Sequence, residues 1–173
     1  LTGELVAALS RGERCFVTTN SLRWTEGLAV QMAKACQRDI RAIVINSKTA
    51  KTPHVQGFIA TIKDPAPLYD LIVASPSIGT GIDITFDDGA QLIYAVFGFF
   101  ETRINTHFDI DQQLARVRNP KRINVWISPE TYSFQTDPAV IASEIERMES
   151  EFKKLIDITR AGETVHFQET PGA

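Results

Sequence analysis

The chain has 173 residues, of which 43% are hydrophobic and 23% are charged, and its formal net charge is −3. This length corresponds to about one domain, which can fold without disulfides or a structural metal. The composition excludes collagen-like and disordered chains, and the charge excludes a globally basic nucleic-acid-binding surface. Any contact with nucleic acid must therefore come from local groups.

Short apolar runs alternate with helical segments along the chain. The predicted strands are 14–19, 40–46, 70–75, 91–97 and 122–128, and the predicted helices are 1–9, 22–36, 53–62, 109–118 and 138–158. Continuous apolar strands separated by helices predict parallel strands that are covered on both faces. We expect one three-layer α/β domain with a mostly parallel sheet of about five or six strands, in which ligands bind at the carboxyl ends of the strands.

The last helix has apolar residues at steps of three and four, which predicts one apolar stripe. These residues are Ile141, Ile145, Met148, Phe152 and Leu155. Such a helix either docks on its own domain or binds a partner, and the sequence leaves both alternatives open. The chain begins at Leu1 rather than Met, so we expect it to be a piece of a longer protein.

Cysteines and apolar runs indicate the compartment. Cys15 and Cys36 do not form a CxxC pair, so they are expected to be reduced thiols of a cytoplasmic protein. No apolar run approaches the roughly 18 residues of a membrane-spanning helix, so no membrane partner is expected. The three histidines are scattered, and no metal site is predicted.

Two common nucleotide-binding motifs are absent from the sequence. The loop Gly79-Thr80-Gly81 follows a strand, but a dinucleotide fingerprint needs a third glycine where Ile84 stands. No glycine is followed by lysine, so the chain has no Walker A phosphate loop.

The two tryptophans, Trp24 and Trp126, are expected in the core.

Two stretches remain to be explained, and they resemble motifs of known helicases. In 70–84, Ser75, Gly81 and Asp83 have the spacing of motif V in the second motor domain of superfamily 2 helicases. The stretch 111–120 resembles motif VI of the same domain, and 18–21, at a strand end, resembles motif IV. Within that superfamily the chain most resembles plasmid and phage replication helicases, including the cyanobacterial plasmid replication and herpesvirus-type origin-binding groups.

The resemblance implies the second RecA-like domain of an ATP-dependent DNA helicase that serves plasmid, phage or viral replication. ATP would then be shared with an N-terminal RecA-like domain of the same protein, which would supply the Walker A loop and hold Mg²⁺. The other partner would be nucleic acid, with DNA favoured over RNA. The isolated chain should neither bind ATP tightly nor hydrolyse it.

The resemblance also assigns catalytic roles within motif VI. Arg116 and Arg118 would be arginine fingers, a role that suits a group that stays protonated and donates in a planar fork. Gln112 would contact phosphate or the catalytic water. The family places its second arginine where Asn119 stands, and on an ideal helix Arg116 and Arg118 are about 200° apart and cannot share a face.

The remaining predicted contacts lie at strand ends. By resemblance, Gly81 and Asp83 lie at the nucleotide, and Asp83 reaches its ribose or ties motif V to motif VI. The predicted contacts to the nucleic-acid backbone are Thr19, Asn20, Ser21, Ser75, Gly79 and Thr80. Hydroxyl donors at a helix start suit phosphate, but Thr19, Asn20 and Ser21 could equally be plain helix caps.

Two rival functions stay open. A RecA-like domain that has lost motor activity could serve as a docking module, which the altered motif VI and the acidic charge favour. A small α/β transferase could instead use the loop at 79–81.

Overall fold

A computed structural model describes residues 1–79, 82–102, 104–130 and 135–160 of the chain. The chain divides into two compact units, Leu1–Glu130 and Thr131–Ala173, and each is described by itself. The strands are β1 (Cys15–Thr19), β2 (Ala42–Ile45), β3 (Leu71–Ala74), β4 (Ala95–Phe100) and β5 (Arg122–Ile127). The helices are α1 (Thr2–Ser10), α2 (Leu22–Ala35), α3 (Pro53–Ala60), α4 (His107–Leu114) and α5 (Pro138–Arg160).

The five strands of the first unit form one sheet in the order β2-β3-β1-β4-β5, and every pairing is parallel. Hydrophobic clusters cover both faces of the sheet. On one face, α1 and α2 pack through Leu5, Leu9 and Leu28. On the other face, α3 packs through Val55 and Phe58. The predicted three-layer α/β architecture is thus confirmed.

Strand β4 lies farther along the chain than the predicted strand 91–97. Its register against β1 pairs Cys15 with Ala95 and Thr19 with Phe99, and all six of its residues are buried. The predicted strand stopped before Gly98, whereas the observed strand continues through it to Phe100. The missing side chain instead makes room, since a Cβ at Gly98 would lie 2.5 Å from Phe100 Cε2 and 2.9 Å from Leu114 Cδ2.

Edge strand β5 differs from the other four strands. Its apolar side chains Ile123, Val125 and Ile127 are exposed, so the prediction of strands covered on both faces is wrong for this one. Alternate residues of a strand share a face, so these three side chains form one apolar row on the outer strand of the sheet.

The second unit contains α5, which confirms the helix predicted over 138–158. Its apolar residues Ile141, Ile145, Met148 and Phe152 are exposed. Leu155 falls among the side chains outside the described part of the structure. Within the described residues, no helix combines the length and the apolar character of a membrane span.

Replacing Gly98 with alanine should destabilise the first unit. The new methyl group would press on a fully buried ring and on Leu114, which corresponds to overpacking that costs about 1–3 kcal/mol. Urea unfolding of the chain measures this. Gly57→Ala is the control, because its Cβ would meet nothing within 4 Å and should stabilise α3 by about 1 kcal/mol. An unchanged urea midpoint for Gly98→Ala would contradict tight packing of the core around β4.

Candidate nucleotide and nucleic-acid interface

Parallel strands bring several predicted site residues to one edge of the sheet. Thr19 ends β1 and Ser75 follows β3, which is the direct neighbour of β1. Glu101 follows β4, the neighbour on the other side. Because all these strands run in the same direction, their carboxyl ends lie together, where ligands of such sheets bind.

The segment after β3 turns sharply. Ser75 is buried, and its Oγ accepts a hydrogen bond from the Ser77 N–H at 3.2 Å, which begins a short 3-10 turn over Pro76–Ile78. The exposed Gly79 ends that turn with φ of 96°, a conformation that side chains disfavour. Thr80 and Gly81, both predicted contacts, lie outside the described residues.

A backbone bridge joins the motif V and motif VI stretches. Ile84 and Val117 form a parallel β-bridge and are both buried. The Ile84 N–H donates to the Arg116 carbonyl at 2.7 Å, and the Arg118 N–H donates to the Ile84 carbonyl at 3.0 Å. The two stretches, which are more than thirty residues apart in sequence, are therefore adjacent in the structure.

Arg116 is a half-buried cation. Its Nε is buried and has no hydrogen-bond partner. Within the described residues, no carboxylate forms an ion pair with its guanidinium. Burial lowers the pKa of Arg116, because desolvation disfavours the charged form. Arginine stays charged at neutral pH, so an anion that approaches this group would be attracted.

Arg118 lies in a different environment. Its Nε donates to Asp83 Oδ1 at 3.1 Å, and both side chains are about half exposed. Asp83 also accepts a hydrogen bond from the Thr85 hydroxyl at 3.0 Å. This ion pair joins the stretch that resembles motif V to the stretch that resembles motif VI, and a contact of Asp83 with the nucleotide stays a prediction. An exposed pair of this kind contributes about 0–1 kcal/mol.

The helix predicted over 109–118 ends earlier than expected. Helix α4 stops at Leu114, and a capping box between Thr106 and Asp109 fixes its start. Arg116 and Arg118 therefore lie beyond the helix, in the bridged segment. The angle of about 200° between Arg116 and Arg118, which assumed that both lie on a helix, therefore does not apply.

Adjacent glutamines of α4 have opposite environments. Gln112, the predicted catalytic residue, is exposed, whereas Gln113 is buried. The buried Thr18 hydroxyl donates to Gln113 Oε1 at 3.0 Å, which links the end of β1 to α4. Thr18 and Gln113 lie in stretches that resemble motifs IV and VI, but neither was predicted to be a site residue. The position of Gln113 three residues after Ile110, on the same helical face, was the available signal.

The motif IV residues make mostly local contacts. Thr19 Oγ1 accepts from the Ser21 N–H at 3.2 Å, and Ser21, the N-cap of α2, makes no side-chain capping bond. The side-chain amide of Asn20 makes two hydrogen bonds with the backbone of Glu101. Its Nδ2 donates to the Glu101 carbonyl at 2.8 Å, and its Oδ1 accepts from the Glu101 N–H at 2.9 Å. Their contacts with phosphate stay predictions.

Other reactive groups do not converge here. Cys15 and Cys36 are buried free thiols. Burial raises the pKa of Cys15 to about 12, which leaves its thiol protonated and unreactive at neutral pH. Across the described residues, no cluster of three or more His, Cys, Asp or Glu is placed to hold a metal ion.

Comparisons with known proteins give a likeness of fold. One solved structure that matches is the crystal structure of the Pyrococcus furiosus Hef helicase domain, with 15% identity and a TM-score of 0.47. The match covers 82% of this chain and 28% of that one, so this chain corresponds to less than a third of its length. No protein-family model matches the sequence, and no curated protein matches it. Function is therefore inferred from the side chains of this domain.

Thr18→Val should destabilise the domain, because it leaves the buried amide oxygen of Gln113 without a donor. The expected loss is about 1–3 kcal/mol in the free energy of unfolding, measured with urea. Adding Gln113→Leu should recover part of the loss, because the unpaired oxygen is then removed. Gln112→Leu, at the exposed neighbour, should change stability by less than about 0.5 kcal/mol. Additive losses in the double variant would contradict a direct Thr18–Gln113 interaction.

Proposed function

We propose that this chain is the second motor domain of an ATP-dependent nucleic-acid helicase or translocase that acts in DNA replication. In this function, Arg116 supplies positive charge to the terminal phosphate of ATP when the two motor domains close. The observation that carries the proposal is the half-buried Arg116 guanidinium, which has no ion pair among the described residues and whose buried Nε has no hydrogen-bond partner.

The energetics of a buried charge support this role. A desolvated cation is costly unless an anion pairs with it, and the fold supplies none from the described residues. A nucleotide phosphate bound by a second domain would provide the missing partner. The guanidinium would then act on charge that develops in the transition state, which is the way arginine fingers accelerate phosphoryl transfer.

The two arginines have separate tasks in this proposal. Arg118 is already engaged by Asp83, so it fixes the motif V bend against motif VI. Arg116 remains available for phosphate. Gln113 and Thr18 hold α4 against β1, and α4 leads directly into the segment that carries Arg116.

The residues present fit half of an ATP site. ATP supplies the phosphoanhydride bond whose hydrolysis drives movement. This chain contributes the Arg116 cation, with Asp83 and Gly81 on the nucleotide side, and the Walker A loop and the Mg²⁺ ligands belong to the other motor domain. The nucleic-acid backbone would contact Ser75, Gly79 and Thr80, of which Ser75 and Gly79 flank the turn after β3.

Arg116→Ala in the complete motor, with both domains present, should lower the maximal rate of nucleic-acid-stimulated ATP hydrolysis by about 10³-fold or more. Binding of nucleic acid in the absence of ATP should be retained. Arg118→Ala is the matched control, and the loss of its exposed ion pair should change the rate by no more than about fivefold. A phosphate-release assay at saturating ATP measures both variants.

Two results would overturn the proposal. Equal rates of ATP hydrolysis by wild type and Arg116→Ala would favour the docking module, because a docking module does not need an arginine finger. ATP turnover by the pure 173-residue chain would contradict a divided site, because the chain has no Walker A lysine.

A further inference from the structure

A cavity of about 340 Å³ opens beside the first turns of α2, on the opposite face of the sheet from Val117 and Arg116. Its lining residues are Arg23, Trp24, Gly27, Leu28, Gln31 and Glu101. None of them belongs to the motif V and motif VI stretches.

The aromatic ring of Trp24 lines the cavity, and two further rings pack against Trp24. Trp24 is stacked on Phe99, with ring centroids 5.1 Å apart and planes 22° apart, and Trp126 lies 6.0 Å away. Trp24 is half-buried and Trp126 is 36% exposed, so the prediction that both are core residues is wrong for Trp126. An indole fixed by a second ring is a rigid platform on which a nucleobase can stack.

The polar groups of the cavity complement a nucleotide. Within the described residues, neither Arg23 nor Glu101 forms an ion pair. An ionised carboxylate only accepts hydrogen bonds, which suits the amino and imino donors of a base edge, whereas a guanidinium suits phosphate. Two hydrogen bonds from the Asn20 side chain fix the backbone of Glu101, so the position of this lining residue is preorganised.

Gly27 lines the cavity. It lies in the interior of α2, where glycine costs helix stability relative to alanine. A Cβ there would meet only Gln31 Nε2, at 3.9 Å, and Gly27 is not among the glycines with positive φ. Among the described residues, neither a close contact nor a positive φ requires glycine here, and a larger side chain at this lining position would occupy part of the cavity.

We infer that this cavity binds one base of single-stranded nucleic acid, stacked on Trp24, with an adjoining phosphate at Arg23. The choice of nucleic acid as the ligand rests on the proposed function. The stacking site extends that function, because it gives the domain a hold on a base that is separate from the backbone contacts at Ser75 and Gly79.

Tryptophan fluorescence of the 173-residue chain tests the inference directly, since Trp24 and Trp126 are its only indoles. The probes are a single-stranded oligonucleotide of about twelve bases, an abasic strand with the same phosphates, and nucleoside monophosphates. The full oligonucleotide should quench the fluorescence and bind about tenfold more tightly than the abasic strand. RNA and DNA versions of the same sequence show which sugar the domain prefers.

Gly27→Leu should fill the cavity and weaken oligonucleotide binding by about tenfold while favouring the helix. Gly57→Leu is the matched control, a glycine in α3 with open space where its Cβ would stand, and its affinity should equal that of wild type. Equal binding of abasic and full strands would overturn the inference, as would an unchanged affinity in Gly27→Leu. Tight binding of monophosphates alone would overturn it too, by identifying a free-nucleotide pocket.

This test is separable from that of the proposed function. If Arg116→Ala abolishes ATP hydrolysis by the complete motor while Gly27→Leu binds like wild type, the motor assignment stands and the base site falls. If Gly27→Leu loses affinity while Arg116→Ala hydrolyses ATP normally, the reverse holds.

Discussion

The structure of the candidate site depends on the bridge between Ile84 and Val117. Two backbone hydrogen bonds, of 2.7 and 3.0 Å, join the chain after the motif V bend to the chain after α4. Both bridging side chains are buried, so the pairing is anchored in the core. Without it, Asp83 would not face Arg118, and Arg116 would not lie beside the segment that leaves β3.

The bridge also explains why the two arginines differ. Arg118 follows it and reaches the exposed Asp83, where solvent weakens the ion pair. Arg116 precedes it and is half-buried, where a charge without a partner is costly. In the proposed motor, Arg116 would be the cation that binds phosphate, because Arg118 is already paired within its own domain.

Much of the fold could be predicted from the sequence, because buried parallel strands and their covering helices leave strong apolar patterns. The runs at β1, β2 and β3 were placed to within two residues at either end. The errors have physical causes. The predicted strand stopped before Gly98, whose missing side chain leaves room for Phe100. The predicted helix ran past Leu114 because local spacing does not encode the tertiary bridge that follows α4. Likewise, Gln112 matched the motif, yet the buried contact to Thr18 is made by its neighbour Gln113.

The central claim is that Arg116 completes an ATP site formed with another domain. A crystal structure of the complete motor bound to an ATP analogue and single-stranded DNA tests it most directly. The account predicts the Arg116 guanidinium within about 3 Å of a terminal phosphate oxygen. An Arg116 side chain that points away from the nucleotide, or that is paired with a protein carboxylate in the closed state, would contradict the account.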